Sequence, residues 1–462
     1  MPFRNPMKFL HYFPLHRLLI LLAITLPDLT TTTAATASSD TGTRLPENVS
    51  SLIDQAHREI WRRFITPDGT LLDYTGLDGQ TILPTAEQCR ENQPNGFGWW
   101  TPIENGAFFN GLYMDALVSR WEITREADIA AKARKLAAGL EKLATVSGTP
   151  GFIARGFADD GKTVYPLSSE DQVYPWYYGM WRYLKSAIPS QAEKTRLTQL
   201  VETTTAGLEA VRWKIPPARE GFGFNGDLTA PHFDPSVRLL FILRATHDLG
   251  GNTKWATIYK QKALEIPRTQ KPARIDICAA GSDYIAPGIS PKYPDHPPIW
   301  TSASSQAGLR ALRDMEKDDA IAQKYQSGLA QSARNALANL KRWREFNETT
   351  AASMQFDIDW RPLNQTSSGW VPQESQGAAF KLGLHQYGQW RRISPRRIYE
   401  NDFMRDPLFA AWVVFLSDDA ESLAIARQEF PQALSKYRWD QLYTACFFMA
   451  ENACWRMAQH TP

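Results

Sequence analysis

The chain has 462 residues, 43% apolar, 12% aromatic and 22% charged, with 30 Pro, 28 Gly and 16 Trp. This composition excludes a disordered or collagen-like chain and permits one or two folded domains. Setting aside the first 37 residues, which hold Arg4, Lys8 and Arg17 against Asp28, leaves 48 basic and 48 acidic side chains out of 51 and 49. A neutral chain lacks the clustered Lys and Arg that replace condensed counterions, so nucleic acid is not an expected partner.

At the amino terminus, Arg4, Lys8 and Arg17 precede the apolar run Leu18 to Leu26, and Ala35-Thr36-Ala37 follows in a Thr/Ala/Ser tract. That order is expected of a secretory signal over residues 1–37, with a polar linker over 38–47 and a folded domain over 48–462. The run is shorter than the ~20 residues that span a bilayer. The expectation is therefore a secreted or periplasmic protein with no membrane span after signal removal. Export permits disulfides among Cys89, Cys278, Cys446 and Cys454, and four cysteines allow three pairings. Cys446 and Cys454, eight residues apart in a helical pattern, would lie ~12 Å apart by helical rise, too far to bridge each other.

From residue 48 onward, i, i+3/i+4 apolar stripes predict helices over about 48–64, 104–121, 125–145, 170–187, 190–213, 234–248 and 253–266. They continue over 302–315, 317–346, 375–391, 405–416, 418–436 and 439–458. Alternating β-like patterns are scarce, so the predicted class is all-α. Helices rich in Trp, Tyr, Phe and Gly alternate with helices rich in Lys, Glu, Ala and Gln. Helices apolar all round are buried and those with a charged face lie outside. The expected architecture is thus a ring of inner and outer helices, an (α/α)6 barrel. An open solenoid would show a fixed repeat period, and none occurs.

Long loops precede the inner helices, and such loops on a rigid scaffold carry sites. Trp99-Trp100-Thr101-Pro102-Ile103-Glu104-Asn105 is one, Pro166 to Gln172 a second and Gly221 to Asp227 a third. Aromatic faces suit the C–H faces of a sugar, and carboxylates, amides and guanidiniums suit its hydroxyls. The candidate substrate-binding residues are Trp99, Trp100, Asn105, Arg155, Gln172, Trp176, Tyr177, Asn225, Asp227, His232, Trp300, Trp370 and Glu374. Glycosidic cleavage needs two carboxyl groups, one to protonate the leaving oxygen and one to activate water or attack carbon. Glu104 and Asp171 each open an inner helix and are the candidate catalytic pair. Glu170, Asp115 and Glu374 are rival acids, and Asp234 and Asp295 are among the carboxylates that accompany the aromatic residues. First-turn acids also favour a helix dipole without doing chemistry.

The segments "IENGAFFNGLYMDAL" and "SSEDQVYPWYYGMWRYLKS" resemble the first two inner helices of the six-hairpin glycosidase superfamily, especially its unsaturated glucuronyl hydrolases. The resemblance implies the (α/α)6 barrel over most of Asn48 to Gln459. It puts Glu104 in the place of the first acid and Asp171 in that of the proton donor. Asn225, Asp227, His232 and Arg238 would sit among substrate-binding groups. The family usually carries Asp where this chain has Glu104, and its His-Asp-Gly signature is absent.

The function expected is hydrolysis of oligosaccharides or polysaccharides, with uronic-acid-containing chains among the candidate substrates and Arg155 suited to a uronic carboxylate. A polysaccharide lyase on the same barrel, with His232 or a Tyr as base, and a non-catalytic glycan-binding envelope protein are the alternatives. No P-loop, Gly-x-Ser-x-Gly, His-Glu-x-x-His or dinucleotide fingerprint occurs. No cofactor and no metal are expected.

Overall fold

Several helix starts coincide with side chains that satisfy free backbone amides. Ser190 and Glu193 form a reciprocal capping box, as do Thr85 and Gln88, and Asp318, Ser375 and Asp419 each accept amides of the turn they open. Such caps stabilise a helix by about 0.5–2 kcal/mol apiece. The computed structural model describes residues 46–267, 272–282, 299–366 and 369–459. The expected signal 1–37, most of the linker 38–47 and Asp295 lie outside the described residues.

In chain order the helices are α1 (Glu47–Arg63), α2 (Ala86–Arg90), α3 (Gly106–Thr124), α4 (Ala127–Thr145), α5 (Glu170–Lys185) and α6 (Gln191–Ala210). Next come α7 (Phe233–Gly250), α8 (Thr253–Leu264), α9 (Arg274–Ala280), α10 (Trp300–Met315), α11 (Asp319–Leu340) and α12 (Glu348–Ser353). The last are α13 (Gln376–Ile393), α14 (Pro395–Glu400), α15 (Asp406–Phe415), α16 (Ala420–Leu434) and α17 (Met449–Gln459). Among the described residues there is no strand, only isolated bridges. The protein is all-α, as expected.

One long helix expected over 439–458 begins only at Met449. Before it two short 3-10 turns, Trp439–Gln441 and Ala445–Phe448, flank an extended step, where the Glu400 carboxylate accepts the Tyr443 and Thr444 amides and the Thr444 hydroxyl, and Thr444 bridges to Tyr74. A buried carboxylate here outcompetes the helical hydrogen bonds that local propensity favours.

Burial follows the alternation in composition. Every residue of α3 from Gly106 to Arg120, and all of α15, is buried, whereas α4 and α8 bury one stripe each. The buried helices touch in succession: α3 packs on α5, α5 on α7, α7 on α10, α10 on α15, α15 on α17, and α17 on α3. The one-faced helices α4, α6, α8, α11 and α16 lie against α3, α5, α7, α10 and α15 respectively, and α1 against α17.

The contact between α3 and α5 is the closest of these and depends on glycine. A Cβ on Gly111 would collide with the carbonyl oxygen of Pro175, and a Cβ on Gly179 would lie 2.7 Å from the Gly111 Cα. Both obstacles are backbone, so neither can rotate aside. Gly111→Ala is expected to lower unfolding free energy by about 1–3 kcal/mol through overpacking, despite its better helix propensity. Gly388→Ala, on the exposed face of α13 where an added Cβ would meet only the flexible end of Arg392, at 3.8 Å, is expected to raise it by up to about 1 kcal/mol. Denaturant midpoints of the two variants check both signs.

Candidate functional site

A cavity of about 390 Å³ opens where the loops before α3, α10, α15 and α17 meet, with α13 and α14 closing one side. Its size suits a small organic ligand. Carboxylates, arginines and indoles line it.

Asp73 is 3% exposed and is held on both oxygens by Asn105, the residue preceding α3. The Asn105 backbone N–H donates to Oδ1 at 2.7 Å and its side-chain Nδ2 to Oδ2 at 2.7 Å. Gln172, on the first turn of α5, orients that amide by donating to Asn105 Oδ1 at 2.9 Å while accepting the Phe108 amide. Glu104 faces the same space. Its Oε2 accepts the Trp100 amide at 2.8 Å, and Trp100 adopts φ +76° to present it. That left-handed backbone is costly for a bulky residue and clusters at functional sites.

Arg397 joins the two acids. Its Nη2 lies 3.4 Å from Asp73 Oδ2 and 3.6 Å from Glu104 Oε2. The guanidinium sits between the Tyr74 and Trp390 rings, 4.8 and 4.7 Å from their centroids. Its Nη1 is buried and has no hydrogen-bond partner. An unsatisfied buried donor costs about 1–3 kcal/mol.

Burial pushes the Asp73 carboxyl up to about 7, the nearby charge of Glu104 pushes the same way, and Arg397 and the Asn105 bonds pull only part of it back. Two carboxylates with unequal surroundings are the usual basis for separating an acid from a base.

The opposite wall comes from a π-helical turn, Asn401–Arg405, in which the Asp406 amide donates to the Asn401 carbonyl five residues back. Such turns recur at functional sites. This one presents Asp402, Arg405 and Asp406, with Arg342 3.8 and 3.7 Å from the two acids. Arg405 covers the Trp300 ring at 4.3 Å. Trp100 lies 4.8 Å from Trp390 and 5.5 Å from Tyr387, forming an aromatic side.

Of the residues singled out from sequence, Trp100, Glu104, Asn105 and Trp300 line this cavity. Asp171 does not: it is half-buried and accepts from the Ser169 hydroxyl. Arg155 is buried and donates to the carbonyls of Leu167 and Glu104 and to Ser169, so it fastens two loops and does not face a ligand. Gln172 acts behind Asn105. Trp176 and Tyr177 are core residues, 0% and 1% exposed, bonded to Leu140 and Thr205, and offer no surface to a sugar. Trp99 lies just outside, stacked on Phe97 at 4.4 Å.

Asn225 donates to the Ser168 carbonyl, Asp227 accepts from Thr229, His232 precedes α7 and Trp370 donates to the Glu91 carbonyl. All four, and exposed Glu374, stand outside the cavity lining. Among the rival acids, Glu170 accepts the Asp227 amide and lies 3.6 Å from Arg238, and burial raises its pKa.

Asp73, Tyr387, Trp390, Arg397 and the 401–406 turn went unnoticed in the sequence. Asp73 follows Leu71-Leu72, an acid in an apolar stretch, and Arg397 belongs to an arginine pair behind Pro395. The four cysteines are buried free thiols. Among the described residues no group of three His, Cys, Asp or Glu is placed to hold a metal, and no helix is long and apolar enough to cross a membrane. The chain matches no protein-family model, no curated protein and no solved structure.

Because the Asp73 value rises from 3.8 to about 7, the folded state keeps its proton through that window while the unfolded chain has released it. Stability contributed by this group is complete at low pH and is lost as pH rises toward 7. Asp73→Asn removes the titration. Relative to the parent, the variant is expected to gain stability steadily between pH 4 and 7, as read from denaturant midpoints across that range.

Proposed function

We propose that the chain is an exported glycoside hydrolase built on an (α/α)6 barrel, acting on uronic-acid-containing oligosaccharides in the cavity around Arg397. The succession of buried helices, with the last packed on the first and an outer helix behind each, supports the barrel. The observation that carries the activity is the pair Asp73 and Glu104, both within 3.6 Å of one Arg397 nitrogen beside an aromatic wall.

Asp73 is the better proton donor of the two, because burial and its neighbour keep it protonated toward neutral pH. Glu104 is then the group that activates water or attacks the anomeric carbon, the second role the reaction needs. Arg397, and Arg405 and Arg342 on the facing wall, line the cavity and supply donors for a sugar carboxylate. Planar guanidinium forks suit that geometry. Trp100 and Trp390 supply the aromatic side beside the ring.

Asp73→Asn and Glu104→Gln are each expected to lower kcat by about a hundredfold or more, with thermal unfolding of Glu104→Gln little changed and that of Asp73→Asn raised near neutral pH, in an assay of reducing ends released from anionic polysaccharides. A larger loss in Asp171→Asn than in Asp73→Asn would return the proton-donor role to Asp171. Product absorbing as a new conjugated double bond, without a water consumed, would make the reaction a lyase. Activity of the parent is expected to fall as pH rises through about 7, where Asp73 gives up its proton.

A further inference from the structure

The cavity does not end at its rim. Tyr387 lines it and belongs to α13, where Phe380, Leu384 and Tyr387 follow one another at i, i+4 and i+7 on one face and are 43%, 56% and 41% exposed. Large apolar side chains exposed in a contiguous stripe mark an interaction surface. The rings are continuous with the cavity: Tyr387 lies 5.5 Å from Trp100, Trp100 6.1 Å from Trp99, and Trp99 5.8 Å from Phe380.

The helix is held firmly in this pose. Gly383 faces the Trp99 ring, where a Cβ would come within 2.6 Å, and its carbonyl accepts the Trp100 indole N–H. Gln386 donates to the carbonyls of Pro94 and Leu363 and accepts from Asn95. The stripe is thus a fixed surface and is not a frayed end.

Charge on α13 has one sign. Lys381, Arg391 and Arg392 are exposed, and the helix contains no Asp or Glu. Arg391 stands over the Tyr387 ring at 5.5 Å. A basic, aromatic stripe could meet either an anionic glycan or an anionic membrane surface. The unbroken run of rings into the cavity favours the glycan, because a chain seated with one unit among Trp100, Trp390 and Tyr387 would lay its next units along Trp99 and Phe380.

We propose that the exposed face of α13, together with Trp99, is an extended subsite that binds an anionic polysaccharide beyond the unit held in the cavity. This rests on the glycan reading of the cavity and adds to it that the substrate is a charged polymer. The test is titration calorimetry of the full chain with alginate, hyaluronan and heparin, with disaccharides prepared from each, and with vesicles of phosphatidylcholine and phosphatidylglycerol.

At least one polymer is expected to bind more tightly than its disaccharide. The double variant F380A/L384A should lose about tenfold in affinity for that polymer, roughly 1.4 kcal/mol, and proportionally less for the disaccharide. K381E/R391E should weaken polymer binding further at low salt than at high salt. All four positions are exposed, so folding is not at stake. Binding of no polymer, or unchanged polymer affinity in both variants, overturns the proposal. So does an affinity loss seen with vesicles alone, which would make this a membrane face. Since the readout is binding, a polymer bound but never cleaved refutes the hydrolase and leaves the subsite standing. Cleavage without dependence on chain length does the reverse.

Discussion

The attachment of Asp73 to Asn105 organises the site. A buried carboxylate is tolerated only where donors replace its lost water, and the start of α3 supplies two from a single residue, at the end of a helix whose dipole favours negative charge. Asp73 is tied through its backbone as well. Its amide donates to the Pro102 carbonyl and its carbonyl accepts the Ala445 amide, so the loop before α3 and the loop before α17 meet on Asp73. Early and late parts of the chain are joined at the place where the cavity forms, and Gln172 extends the tie to α5.

The arginine pair at the start of α14 divides the work on the other side. Arg396 is absorbed by structure: it donates to Glu400 at 3.0 Å and to the Ala351 carbonyl, and Glu400 in turn holds Tyr443 and Thr444 extended. Arg397, one residue on, turns to the cavity and meets both acids. A helical step of about 100° per residue separates a structural guanidinium from one left with an open donor. The π-helical turn after α14 then shifts the phase of the chain, which brings Asp402, Arg405 and Asp406 to the facing wall.

Helices were legible from the sequence because their signal is local. The apolar stripe of 48–64 and the caps at Ser190 and Asp318 work through neighbours a few residues away. The start of α17 was misplaced because Glu400, some forty residues distant, decides it. The site divides in the same manner. Trp100, Glu104, Asn105 and Trp300 announced themselves by standing before inner helices, whereas Asp73 and Arg397 lie in an extended segment and a short helix that carry no periodic signal. Trp176 and Tyr177 misled because a sugar platform and a core filler have the same composition, and only the bonds to Leu140 and Thr205 tell them apart. Arg155 and Asp171 sit in the right loops, yet Ser169 takes a bond from one and gives a bond to the other.

Two buried carboxylates of this protein differ in the balance of their partners. Asp115, in the middle of α3, is fully buried and receives Arg182 at 2.7 Å and Arg456 at 3.0 and 2.5 Å. Burial acts to raise its pKa, and the two guanidiniums, Arg456 foremost, outweigh burial and leave it lowered. Asp73 suffers the same desolvation with one arginine, shared with Glu104 and farther away, and its pKa is raised. In the first cluster every charge is met, so nothing remains for a ligand to do. In the second the acid keeps its proton toward neutral pH, and Arg397 keeps an N–H with nothing to receive it.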